Sequence, residues 1–190
     1  MKGFRRNKDG VLTARFENDE IAVLASLVEQ LVDVLTESEG DAPVVHDSRD
    51  PFAAWEADFA HVSSDDDGGE VDPVMERLFP DAYRDDAPAS AEFRRFTRAD
   101  QLNLKVTSAG QVISDLQSPA RGSVPIPDAH ITAWLTTLTN LRLAMAVRLG
   151  IERAEDADLL SNLPFDDPRG WLHSVYEWLG WVQEAILEAL

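Results

Sequence analysis

Cysteine is absent from the 190 residues, which removes disulfides, thiolate nucleophiles and zinc–thiolate sites together. Lysine is scarce: Lys2, Lys8 and Lys105 stand among 17 basic residues, the rest being arginine, and with abundant Ala and Asp this is the composition of a GC-rich genome. No apolar run approaches the roughly 18–20 residues that a membrane span needs. The opening MKGFRRNKDG has no apolar stretch behind its charges, so it does not read as a secretory signal. A cytoplasmic protein without membrane association is the expectation from these absences.

Catalytic signatures are missing as well. There is no phosphate-loop glycine pattern, no nucleophile elbow and no dinucleotide fingerprint. His46, His61, His130 and His173 fall in four separate segments, none at metal-ligand spacing with another histidine or with glutamate. In SSDDDGGE, residues 63–70, the acids invite a calcium reading, yet no register of a twelve-residue loop there has both a glycine at the sixth position and a glutamate at the twelfth. No catalytic, cofactor-binding or metal-ligating residue is therefore assigned, and a non-enzymatic protein is expected.

What the chain does have is acid and helix. The formal charge is −18, with 16 acidic and 3 basic side chains in residues 37–86, and 9 and 2 in residues 152–190. Residues 87–151 reverse the balance with 4 acids and 7 bases. Such a field repels a nucleic-acid backbone at long range and favours basic partners, so direct nucleic-acid binding is disfavoured.

The pattern predicts a mainly α fold: a bundle of four long helices with short helices and an N-terminal β-hairpin, in one domain over residues 1–190. Residues 1–16 hold the hairpin, with Asn7-Lys8-Asp9-Gly10 as turn chemistry. Residues 17–38 form a helix capped at Asn18, with Ile21, Leu24, Leu27, Val28, Leu31 and Leu35 on its buried stripe. Residues 39–89 are an irregular acidic segment in which Asp50-Pro51 and Asp72-Pro73 each open a short helix. A long helix follows over 90–118, kinked near Thr97–Asp100, whose stripe starts with Phe93 and Phe96. Helices over 127–149 and 168–190 complete the bundle, separated by an acidic linker. The last helix is expected to cover the helix of residues 90–118, and Gly180 within it to mark a close helix crossing.

Four of the five tryptophans lie in these last two helices. Trp134, Trp171, Trp178 and Trp181 read as core or interface anchors, with a Trp-lined ligand pocket as the alternative. Tyr176 and Trp181 lie off the centre of the final stripe and are candidate interface residues. Arg94, Arg95, Arg98 and Lys105 cluster on one side of the 90–118 helix, as partners for the acidic 37–86 stretch or for a protein surface.

The segments DPVMERLFPDAYRDD (residues 72–86), AEFRRFT (91–97), AWLTTLTNLRLAMAVRLGI and VYEWLGWVQEAILEAL, with the opening MKGFRR, resemble an actinobacterial family of unknown function. The likeness runs over nearly the whole chain. It implies genes lying beside that of the ClpS protease adaptor and, from a mycobacterial member, an oxidative-stress transcription regulator. In that member redox sensing is attributed to a cysteine pair, which this chain lacks. The expected function is thus a regulatory or interaction protein acting through a protein partner, with the transcription machinery as the expected source of that partner, and dimerising through its terminal helices. An accessory factor of ClpS/Clp proteolysis is the alternative, as is the small-ligand binder.

Overall fold

The computed structural model describes residues 3–37, 72–119, 123–164 and 167–190. The Asp50-Pro51 helix and most of the acidic loop at 63–72 lie outside the described residues.

Strands β1 (Phe4–Arg6) and β2 (Leu12–Ala14) pair antiparallel in the register Phe4 to Ala14, Arg5 to Thr13 and Arg6 to Leu12. The turn between them is set by Asn7, whose Oδ1 accepts from the backbone N–H of Asp9 and Val11, each at 2.9 Å. Gly10 takes φ +80°, a conformation that strains any residue with a Cβ. A third strand was not expected. β3 (Val124–Ile126), from the Pro/Gly-rich connection, pairs with β2 so that Leu12 meets Ile126 and Ala14 meets Val124. These four side chains point into the core and are fully buried, whereas Pro125, which donates no backbone N–H, sits on an edge strand where none is needed.

Helix α1 (Asn18–Glu37) begins one residue earlier than an Asn18 cap requires. Glu17 precedes it, and the Glu20 carboxylate reaches back to accept from the Glu17 N–H at 2.7 Å, half of a capping box. α2 (Pro73–Leu78) opens as Asp72-Pro73 predicts, with Asp72 Oδ1 accepting from Val74 N at 2.8 Å. α3 (Ala87–Leu116) is one helix of 30 residues, continuous through Thr97–Asp100 and starting at an Asp86 cap with Pro88 in its first turn rather than at residue 90. A 3-10 turn (Asp128–His130) leads into α4 (Ile131–Leu149), closed by Gly150 at φ +69°. The acidic linker holds a further helix, α5 (Ala154–Leu160), in which Asp156 caps the backbone N–H groups of Glu152 and Arg153. α6 (Pro168–Glu188) ends the bundle, capped by Asp167.

α4 is the central helix. It packs against α3 on one side and α6 on another, and it also touches α1 and α2. The expectation that α6 covers α3 is therefore corrected: α6 spends its Leu172, Val175, Leu179, Val182 and Ile186 face mainly on α4, with α5 beside it. A helix touched from several directions is enclosed around much of its circumference, which is why even the polar Thr137 and Asn140 are buried beside the predicted stripe.

One carboxylate ties these parts together. Asp115, in the last turn of α3 and 7% exposed, accepts from the Trp134 indole Nε1–H at 2.9 Å, faces His130 Nδ1 at 3.0 Å, and takes a long bond from Gln111 Nε2 at 3.3 Å. Trp134 is fully buried, with its ring stacked on Phe16 at a centroid distance of 6.3 Å. Phe16 in turn meets Phe4 and Trp178 edge to face.

Replacing Asp115 with Ala is expected to cost about 1–3 kcal/mol for each donor left unpaired in the interior. Urea unfolding checks this: the midpoint falls while the slope stays at the wild-type value.

Candidate functional site

The arginine-rich face of α3 is real but largely committed within the chain. Arg94 pairs with Asp81 at 2.8 Å, a carboxylate from the acidic 37–86 stretch. The Arg98 guanidinium lies 3.7 Å from the Phe79 ring centroid, and Lys105 Nζ lies 5.2 Å from the same centroid. Lys105 also donates to Asn140 Oδ1 of α4 at 2.9 Å, which fixes its half-buried ammonium between the helices. Arg95 remains on the surface, over the Phe96 ring at 4.8 Å.

Phe93 and Phe96 correct the expected stripe. Both are exposed, Phe96 by 65%, because the N-terminal half of α3 projects past the bundle: residues 91–96 all face solvent, and of residues 87–101 only Ser90 is buried. A 30-residue helix spans about 45 Å, longer than the helices it packs against. The buried part of α3 is its second half, through Leu102, Ala109, Val112 and Leu116. Tyr83 closes over Phe93 edge to face at 6.3 Å, held there because the Tyr83 N–H and carbonyl both bond the buried Ser90 hydroxyl.

Tyr176 and Trp181 separate in the structure. Trp181 is 45% exposed on the outside of α6, on the same side as exposed Trp171 and half-buried Trp178. Tyr176 is half-buried and lines a groove of about 400 Å³ between α4, α5 and α6. Its ring carries the Arg142 guanidinium at 4.8 Å and stacks near His173.

Arg142 is the residue that reading the sequence missed. It comes from the middle of α4 and leaves the bundle between α4 and α6, over Gly180. A Cβ at Gly180 would lie 3.1 Å from its Cζ, so the glycine marks the passage of this side chain rather than a backbone crossing. Gly180 costs the helix about 1 kcal/mol relative to alanine, and the seat for Arg142 is what that cost provides. A relay holds the far end: Arg142 Nη1 donates to Gln183 Oε1 at 3.3 Å, Gln183 Nε2 donates to Thr139 Oγ1 at 2.7 Å, and the Thr139 hydroxyl donates to the Leu135 carbonyl at 2.7 Å. Arg77 from α2 and Arg153 from the start of α5 line the same groove. The signal available in the sequence was the pair itself, an arginine inside an apolar helix and a glycine inside its neighbour.

Trp134 is packed core, and the aromatic residue lining the groove between α4, α5 and α6 is Tyr176. Among the described residues no group of three or more His, Asp or Glu side chains is arranged to hold a metal ion.

The fold and its surfaces define a mainly helical bundle with a small antiparallel sheet and with aromatic and arginine-bearing surfaces. The chain belongs to the family described as Domain of unknown function (DUF2017), which matches residues 1–190. Its relatives include a Mycobacterium leprae protein that carries the name oxidative stress regulator AosR, 27% identical over 183 residues, covering 90% of this chain and 78% of that protein. The oxidative stress regulators AosR of Mycobacterium bovis and Mycobacterium tuberculosis are each 28% identical over 133 residues, which is 63% of this chain and 58% of theirs. No solved structure matches the chain.

The titration of Lys105 gives a test of its placement. Burial, and secondarily the nearby Arg98 charge, push its ammonium below the ordinary 10.5. The unfolded chain thus binds more protons just below pH 10.5, and stability rises as pH climbs through that window. Lys105→Gln is expected to flatten the rise, measured as the urea midpoint against pH.

Proposed function

We propose that this protein is a non-enzymatic, cytoplasmic stress-response regulator that acts by binding a protein partner of the transcription machinery. The contact is made through the projecting half of α3. The observation that carries this reading is Phe93, Phe96 and Leu104, exposed together on one side of that helix with Arg94 and Arg95 beside them. A large aromatic side chain left in water forgoes about 1.5–3 kcal/mol of burial, and exposed aromatic and arginine residues are the usual anchors of protein interfaces. The names of the mycobacterial relatives support the regulatory half of the proposal. The charge of −18 supports recruitment by a protein over autonomous promoter binding. No described helix is long and apolar enough to cross a membrane.

Affinity purification from the native cytoplasm at physiological salt tests this. RNA polymerase or a sigma factor is expected with the wild-type protein and not with Phe96→Asp, a surface change that leaves the fold intact. Recovery of Clp components in place of transcription proteins, or equal recovery by the variant, overturns the reading.

The assembly we propose is a symmetric dimer through the outer side of α6, where Trp171 and Trp181 are exposed. Light scattering is expected to show a dimer that Trp181→Glu converts to a monomer; a wild-type mass of 21.1 kDa rules it out.

A further inference from the structure

We infer that the groove walled by Arg77, Arg142 and Arg153 is a binding site for a small organic phosphate, a phosphomonoester with a carbon body of sugar or nucleoside size. This goes beyond the regulatory proposal and involves a different surface, so either stands if the other fails.

The first argument is one of charge pairing. The chain holds 35 acidic residues against 17 basic ones. Three arginines elsewhere take carboxylate neighbours, Arg6–Asp128 at 2.9 Å, Arg94–Asp81 at 2.8 Å and Arg169–Asp167 at 2.8 Å, while Arg95 and Arg98 lie over phenyl rings. Among the described residues no carboxylate pairs with Arg77, Arg142 or Arg153, although three separate elements bring them to one concavity. Three guanidinium groups gathered in a strongly acidic protein repel one another unless an anion enters between them.

The second argument is preorganisation. An arginine side chain carries about 2 kcal/mol of rotamer entropy, and here it is already immobilised by Gly180 beneath, Tyr176 alongside and the Gln183–Thr139 relay at its tip. The guanidinium is held by these contacts and, among the described residues, not by a carboxylate. A cation fixed in this way binds an anion without first having to be ordered.

The third argument selects the class. Planar guanidinium forks match the oxygens of a phosphate group in bidentate fashion. Glu152 also lines the groove, so the charged lining is three positive and one negative, a net of +2. That balances a phosphomonoester dianion and leaves a polyphosphate over-charged. Leu143, Ala146 and Ile151 give the remaining wall an apolar face, and about 400 Å³ is more room than inorganic phosphate fills.

Titration calorimetry on the full chain at matched ionic strength tests the site, with AMP, ribose 5-phosphate, inorganic phosphate, adenosine, ribose and succinate as probes. Saturable single-site binding is expected for AMP or ribose 5-phosphate, the stronger of the two telling nucleoside from sugar. Inorganic phosphate is expected to bind about tenfold more weakly, and adenosine and ribose to give no saturable heat. Arg142→Gln is expected to weaken the phosphomonoester by about tenfold or more, the loss of a charge-assisted contact. Gly180→Ala, which crowds the guanidinium while favouring the helix, is expected to weaken binding without lowering the melting temperature, so the test survives if Arg142→Gln misfolds. Absence of saturable binding by both phosphomonoesters, unchanged affinity in both variants, or equal binding of succinate overturns the assignment.

Discussion

A buried carboxylate is tolerated only where donors surround it, and Asp115 is placed where its donors have to come from several parts of the chain. The indole of Trp134 and the imidazole of His130 reach it from beyond the Pro/Gly-rich connection, while Gln111 reaches it from within α3. Satisfying that one group sets the end of α3 against the start of α4. The connection between them then has to pass over the hairpin, where β3 completes the sheet along β2. The Arg6 guanidinium secures the same junction from outside, bonded to the Gly10 carbonyl at 2.6 Å and to Asp128 at 2.9 Å. Trp134 stacked on Phe16 carries the constraint into the core, so hairpin, connection and two long helices share one alignment.

The central position of α4 has consequences for the surface. A helix enclosed by neighbours sends any charged side chain out through a gap between them, and Arg142 leaves through the gap that Gly180 opens in α6. The groove beside it arises from packing, with walls drawn from α2, α4, α5 and α6. The long α3 behaves oppositely. Among the described residues its buried positions lie mostly in the second half, and in the first half Phe93 and Phe96 are exposed.

Charge reads differently once the chain is folded. The acid of residues 72–86 is partly spent on capping, by Asp72 and Asp86, and on pairing with Arg94 through Asp81. The basic excess of residues 87–151 does not form one footprint. Arg98 and Lys105 are drawn over Phe79, Arg94 is neutralised, and Arg142 faces another side of the molecule. Three pairs of Asp followed by Pro in the first helical turn mark α2, α3 and α6, and each aspartate bonds a free N–H of that turn. These are local devices, legible because donor and acceptor lie within three residues of each other.

What the sequence determined by itself is therefore the four long helices, the short helix opened by Asp72-Pro73, the tight turn at Asn7–Gly10 and most of the buried stripes, along with membership of the family. Each depends on a period or a contact a few residues long, which the order of amino acids states directly. Tertiary structure alone decided that Val124–Ile126 is a strand, because its ladder partner Leu12–Ala14 is more than a hundred residues away. It decided that α6 packs mainly on α4, that Phe93 and Phe96 stay exposed, and that Arg77, Arg142 and Arg153 share a groove. Helical periodicity tells a residue which face it occupies. What that face meets depends on how helices of unequal length pack in space.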